Sequence, residues 1–146
     1  MKKINHFLLV AICGSFFSGA NAVNLSPLSS VPDPKLKGVW ESFLDMDSVK
    51  EIGPGIFDIE IISNLPPFVD QEGSIIKSPN RSEKMSITIN CKSKKAKRKI
   101  IEEYSQLNAK GSIVYKSDLT KSKNDGFLMT PKTTEYLAAQ IVCKKS

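Results

Sequence analysis

The chain has 146 residues with 21 basic and 15 acidic side chains and a single histidine, which gives a formal net charge of +6 at neutral pH. This length fits one domain with one hydrophobic core. The only histidine, His6, lies in a segment that we expect to be removed, so the remaining chain has no histidine for nucleophilic or acid–base catalysis.

Residues 1–22 are predicted to be a secretory signal peptide. Two lysines near the start precede an apolar run over 7–17, and a small-x-small site predicts cleavage after Ala22. The apolar run is shorter than the ~20 residues that a membrane span needs, so a membrane anchor is the weaker alternative, as is lipidation at Cys13. We therefore predict an exported protein that is periplasmic, secreted or associated with the cell surface.

Cleavage leaves two cysteines, Cys91 and Cys143. An even pair in an exported protein predicts a disulfide. It would close a loop of 52 residues, which corresponds to ~4 kcal/mol in the chain-entropy description. Two cysteines without a histidine are a poor zinc set, so neither a metal nor a cofactor is predicted.

The start of the exported chain contains three prolines among serines, which predicts an extended, mobile leader over 23–37. A single domain is expected to follow over 38–146. Its first strand is predicted at 38–44 with Trp40 in the core, and the segment Asp45–Val49 is predicted to be a polar turn.

The clearest strand of the sequence is Ile56–Ser63, which follows a Gly-Pro-Gly turn. Its alternation places Phe57, Ile59 and Ile61 on the core face. Residues 64–83 have no firm periodicity and three prolines, so we expect a loop of functional importance or high mobility.

Further strands are predicted at 84–91, 100–107 and 111–117, and a helix at 130–143 that begins at Thr130 and Pro131. A helix over 95–106 competes with the strand there, and the resemblance described below favours the strand. Several strands followed by one helix predict an α+β fold, an antiparallel β-sheet of about five to six strands with one C-terminal α-helix packed on one face.

The strongest charge feature is a basic run between two predicted strands. Its lysines are suited either to a solvated hairpin edge or to an anion-binding patch. Catalytic motifs are missing from the sequence, and the adjacent Glu102 and Glu103 would face opposite sides of a strand, so we predict a protein that is not an enzyme. The candidate binding residues of the run are Lys92, Lys94, Lys95, Lys97, Arg98 and Lys99.

Four segments together resemble the surface-adhesin protein E family of Gram-negative bacteria. They are the Asp45–Val49 turn, Asn90-Cys91-Lys92, Tyr104-Ser105 and, most specifically, TPKTTEYLAAQIVC at 130–143. The resemblance covers about 38–143 and implies an antiparallel sheet joined by a disulfide to a C-terminal helix. It also implies an adhesin that binds host extracellular-matrix or serum glycoproteins of the laminin or vitronectin type.

We therefore expect a non-catalytic adhesin whose contacts are the basic run and the loop near Phe68. Host glycoproteins or anionic glycans are the expected partners; nucleic acid is not, because the run lacks interleaved aromatic residues. A homodimer is left open. The alternative is a soluble periplasmic accessory or structural protein without a host ligand, and a lipid or small-molecule carrier is a third, weaker hypothesis.

Overall fold

The computed structural model describes residues 24–33, 38–69, 72, 74–76, 80–124 and 126–145. The predicted signal peptide and its cleavage after Ala22 lie outside this part of the chain. Nine strands precede one helix in the described residues. They are β1 (Leu25–Asp33), β2 (Gly38–Gly53), β3 (Ile56–Asn64), β4 (Phe68–Val69), β5 (Ile75–Ile76), β6 (Ser82–Asn90), β7 (Lys95–Tyr104), β8 (Ile113–Asp118), β9 (Phe127–Leu128) and the helix α1 (Thr134–Val142), which ends in a 3-10 turn at Cys143–Lys145.

The main sheet is antiparallel, in the order β1-β2-β3-β6-β7-β8, and the short β9 pairs with the beginning of β7. The strands β4 and β5 form a separate two-stranded ribbon in the connection between β3 and β6. The predicted α+β class, the antiparallel sheet with a C-terminal helix and the disulfide are confirmed. The strand over 95–104 also settles the competition with a helix there.

The core lies between the sheet and α1. Alternation along β3 buries Phe57, Ile59 and Ile61 as predicted, and these side chains pack with Met85, Ile87 and Ile89 of β6. The helix contributes Ala138 and Val142, which are almost completely buried. The small Ala138 lets the helix backbone approach the isoleucine layer closely.

The predicted leader is in fact the first strand of the sheet. Residues Leu25–Asp33 pair with β2, and Leu28, at a bulge in this pairing, packs against the core. Prolines are tolerated because β1 is an edge strand, where an N–H on the outer side needs no strand partner. Residues 25–33 are therefore extended and belong to the sheet rather than to a separate leader.

The segment Asp45–Val49 is a bulge inside one long strand rather than a turn between two strands. The pairing of β2 with β3 shifts register between Asp45 and Lys50. The Ser48 hydroxyl donates to the Asp45 carbonyl at 2.6 Å and accepts from the Glu60 backbone N–H at 2.7 Å, which holds the bulge against β3. Trp40, predicted in the core, is 36% exposed near the start of the same strand.

The helix begins later than predicted, and the face that it presents to the sheet includes a charged residue. Its N-cap is Thr133, whose hydroxyl accepts from the Tyr136 N–H at 3.3 Å, because Lys132 has a φ of 73° and interrupts the turn that starts at Thr130. The buried positions are Glu135, Ala138, Ala139 and Val142, whereas Leu137 and Ile141 are only partly buried. A charged residue therefore belongs to the buried face.

Candidate functional site

The structure divides the predicted basic run between a turn and a strand. Lys92 and Lys94 lie in the hairpin turn between β6 and β7, where Lys94 adopts a φ of 55°, and Lys95 opens β7. These three side chains are exposed. Alternation along β7 then sends the remaining cations of the run to different faces of the sheet.

Arg98 faces the helix and is part of the scaffold. Its Nε and Nη2 both donate to Oε1 of Glu135, at 3.1 and 2.6 Å. The Glu135 side chain is only 5% exposed, whereas that of Arg98 is 43% exposed. The Arg98 guanidinium also lies 5.1 Å from the centre of the Phe127 ring. It therefore links β7, β9 and α1, which leaves it little capacity for a ligand.

Lys99 is held on the opposite face of the sheet. Its Nζ lies 2.7 Å from Oδ2 of Asp58, whose other carboxylate oxygen accepts from Thr88 Oγ1 at 2.6 Å. Partial burial pushes the pKa of Asp58 upward, but the hydrogen bonds from Lys99 and Thr88, with the nearby positive charges, outweigh it and leave that pKa below its usual value. Lys97 donates to the Ser122 carbonyl at 3.4 Å.

The polar face contains a second ion-pair cluster around Glu102. Lys116 lies 2.7 Å from its Oε1, Lys84 lies 3.4 Å from its Oε2, and the Tyr104 hydroxyl donates to Oε2 at 2.8 Å. Hydrogen bonds from Lys116 and Tyr104 lower the pKa of Glu102 to about 2. Lys84, Lys99 and Lys116 of this face are thus paired with carboxylates of the sheet.

One group of cations without ion pairs lies close to the disulfide. Cys91 and Cys143 are bonded with a Cα–Cα distance of 5.7 Å, so Lys92 and Lys144, the residues that follow them, lie at the same end of the molecule. We call Lys92, Lys94, Lys95 and Lys144 the basic rim. All four are exposed, and none forms an ion pair with any residue that the structure describes.

A cleft opens beside the basic rim, between the hairpin turn and α1. It has a volume of about 220 Å³. The Met129 N–H donates to the Lys94 carbonyl at 3.0 Å, which fixes the segment before the helix against the hairpin. The walls of the cleft are the disulfide, Lys94, Met129, Tyr136, Ala139 and Gln140.

Phe68, the other predicted contact, lies in β4, whose backbone pairs with β5 at Ile76. This ribbon joins the end of β3 to the start of β6, whereas the basic rim lies at the far end of β6. Nine residues of β6 separate them, which is about 30 Å along a strand. The structure therefore does not combine Phe68 and the basic rim into one surface, and the role of Phe68 stays a prediction.

The part of this site that comes from the helix and its flanking residues was not predicted from the sequence. Lys144, Met129, Tyr136 and Gln140 are separated from the hairpin by more than thirty positions in the chain. The one available signal was the cysteine pair, because each cysteine is followed directly by a lysine. A predicted disulfide therefore also predicts that Lys92 and Lys144 are close.

The described residues include neither a candidate metal cluster nor a candidate membrane-spanning helix. No cluster of three or more His, Cys, Asp or Glu side chains suited to a metal ion occurs among the described residues. Asp45 instead accepts from the Asp47 backbone N–H at 3.0 Å, an ordinary turn contact. Over the same part of the chain, no helix has both the length and the apolar character needed to cross a bilayer.

The fold and the site define a class of protein: an antiparallel sheet braced to a C-terminal helix by one disulfide, with unpaired cations around that disulfide. The model of the surface-adhesin protein E family matches residues 35–144. The chain belongs to this family. Membership supports an adhesin role and an exported or cell-surface location, and family and fold together suggest a protein that is not an enzyme.

Solved structures of Haemophilus influenzae protein E have a similar fold. One has 23% sequence identity and a TM-score of 0.54, with 82% of this chain and 84% of that chain covered. Crystal form II has 24% identity and a TM-score of 0.53 over 71% and 80% of the two chains. A third, from a non-typeable strain, has 22% identity and a TM-score of 0.52 over 81% and 75%. No curated protein sequence gives a significant match.

Proposed function

We propose that this protein is a non-catalytic adhesin that binds host extracellular-matrix or serum glycoproteins, of the laminin or vitronectin type, or the anionic glycans attached to them. The basic rim is the proposed contact. The observation that carries this proposal is that four exposed lysines lie around the disulfide without ion pairs among the described residues, whereas Lys84, Lys99 and Lys116 on the polar face are paired with carboxylates.

Unpaired lysines around one end of a rigid domain suit recognition of an acidic surface. Each is exposed, so partner binding does not require a buried ion pair to be broken. The hairpin turn is fixed to the helix by the disulfide and by the bond from Met129 to Lys94. A rigid turn loses little conformational entropy when it binds. Attraction of this kind accelerates encounter and weakens with salt.

The test compares two charge-matched double variants. Lys92→Gln/Lys95→Gln removes two charges from the basic rim, whereas Lys110→Gln/Lys121→Gln removes two exposed lysines elsewhere. Binding to immobilised laminin, vitronectin and heparin is measured at about 0.05 and about 0.5 M NaCl, where the Debye length falls from roughly 14 to 4 Å. We expect the rim variant to bind more weakly and to lose much of the salt dependence, and the control to match the wild type.

Equal binding by the rim variant and the control would contradict the proposed contact. Binding by neither the wild type nor the variants would contradict the host-ligand proposal as a whole. Protease treatment of intact cells provides the complementary measurement, because an adhesin must be cleaved or shed from the outside. Full protection until the outer membrane is opened would instead favour the periplasmic accessory role.

A further inference from the structure

The cleft between the hairpin turn and the helix has the chemistry of a small binding site. Its walls combine apolar groups, namely Met129, Ala139 and the disulfide, with the aromatic Tyr136 and the cation of Lys94. Its volume is about 220 Å³, and an apolar cavity of roughly 150 Å³ can hold a benzene molecule. One aromatic ring therefore fits, whereas most drug-sized ligands need a larger pocket.

The lysines beside the cleft indicate that a bound aromatic group would carry a negative charge. Lys94 belongs to both the cleft and the basic rim, and Lys92, Lys95 and Lys144 lie around the same end of the molecule. A ring in this position lies beside Met129 and Lys94, and methionine sulfur and lysine ammonium groups both interact favourably with aromatic rings. An anion on the exposed side of the ring meets lysines that form no ion pair with the described residues.

We propose that this cleft binds an anionic aromatic side chain of a partner protein, with the ring between Met129 and Tyr136 and the anion on Lys94. O-sulfated tyrosine is the protein-borne group of this chemistry outside cells. This inference rests on the proposed function for the existence of a protein partner. Binding of one buried ring beside a charge would form the small, water-excluded centre that dominates many interfaces.

The test uses three short peptides that differ in one central residue: O-sulfated tyrosine, tyrosine and O-sulfated serine. They are titrated into the purified, oxidised protein and followed by two-dimensional NMR. We expect saturable shifts from the sulfated tyrosine peptide, with Kd on the order of millimolar for a group of this size. The shifts should centre on the cleft. The tyrosine and sulfated serine peptides should bind at least several-fold more weakly.

Two variants test the site itself. Lys94→Asn removes the cation and keeps a residue that tolerates positive φ, and should weaken binding about three- to fivefold, as for a partly exposed charge pair. Gln140→Trp, at an exposed position of the helix that lines the cleft, should fill the cavity and abolish saturable binding. Lys110→Asn is the charge-matched control. Thermal unfolding and free-thiol measurements confirm that each variant is folded and oxidised.

Two results would overturn the inference. Equal affinity for the sulfated serine peptide would show that charge alone is recognised, and unchanged binding by Gln140→Trp would place the ring outside the cleft. Neither result affects the proposed function, because binding of glycoproteins through the basic rim is measured separately with the Lys92→Gln/Lys95→Gln variant. Conversely, unchanged glycoprotein binding by that variant would contradict the proposed contact and would leave the cleft chemistry intact.

Discussion

Arg98→Met should destabilise the fold although Arg98 belongs to a surface run of basic residues. The substitution removes both donors to Glu135, whose side chain is 5% exposed, and leaves its carboxylate under the helix without them. Methionine retains much of the apolar stem of Arg98. The predicted loss therefore comes mainly from the charge that is left behind.

The magnitude follows from the exposure of the two partners. Removal of one partner of a fully buried ion pair costs about 3–5 kcal/mol. The Arg98 side chain is 43% exposed, so water reaches one side of this pair and solvates part of the remaining charge. We therefore expect a decrease in the free energy of unfolding of ~2 kcal/mol, which lowers Tm by roughly 6–10 °C for a domain of this size.

The assay is urea denaturation followed by circular dichroism, with the disulfide intact. Lys95→Gln is the control and should change the free energy of unfolding by less than about 0.5 kcal/mol, because its side chain is exposed. The double variant Arg98→Met/Glu135→Gln should recover at least half of the loss, since it removes the stranded charge. A single variant as stable as Lys95→Gln, or a double variant that shows only additive losses, would refute this reasoning.

Three further predictions concern the disulfide and two carboxylates. Replacement of both Cys91 and Cys143 by serine should lower the free energy of unfolding by at most ~4 kcal/mol in urea denaturation, and no loss would mean that the 52-residue loop adds no constraint. The lowered pKa of Glu102, about 2, stabilises the fold above pH ~4.5 and loses this effect as the pH falls toward 2. Since Lys116 is 53% exposed, Glu102→Gln should cost only about 1–2 kcal/mol at pH 7. At pH 2 most of this difference should be lost, and a difference that stays constant with pH would contradict the assignment. Burial and the facing Glu103 raise the pKa of Glu83, so Glu83→Gln should stabilise the fold at pH 7 by about 0.5–1 kcal/mol. This stabilisation should vanish below pH ~4, where the glutamate is protonated. A Glu83→Gln variant that is less stable than the wild type at pH 7 would contradict this prediction.

The sheet could be predicted because its signals are local. Alternation in β3 and β6 directly gives the buried faces, and the two cysteines outside the predicted signal peptide have one possible intramolecular pairing. The errors arose where tertiary context overrides local pattern. Prolines in β1 suggested a free leader, but an edge strand tolerates them. The polar segment Asp45–Val49 suggested a chain reversal, but a bulge absorbs it within one strand.

The buried face of the helix shows what local periodicity cannot predict. Its buried positions include Glu135, Ala138 and Val142, whereas the larger apolar residues Leu137 and Ile141 are only partly buried. A glutamate is normally expected to face solvent, and here its ion pair with Arg98 on β7 offsets the free-energy cost of burying its charge. The information that places Glu135 under the helix therefore lies 37 residues away, beyond the reach of any periodicity.

The ion pair between Arg98 and Glu135 shows that the basic run does not act as a single surface patch. Six cations in eight positions suggest a single binding patch, but alternation and ion pairing divide them into scaffold and surface groups. Arg98 and Lys99 are bound by carboxylates on opposite faces of the sheet, whereas Lys92, Lys94 and Lys95 are exposed at the disulfide. Stability and ligand binding should therefore respond to different members of one run.

We expect Arg98→Met to lower stability while the folded fraction binds glycoproteins normally. We expect Lys92→Gln/Lys95→Gln to weaken glycoprotein binding without lowering stability. Calorimetric unfolding and surface-plasmon binding on the same protein preparations would measure both effects, and a parallel loss of stability and binding in either variant would contradict the division.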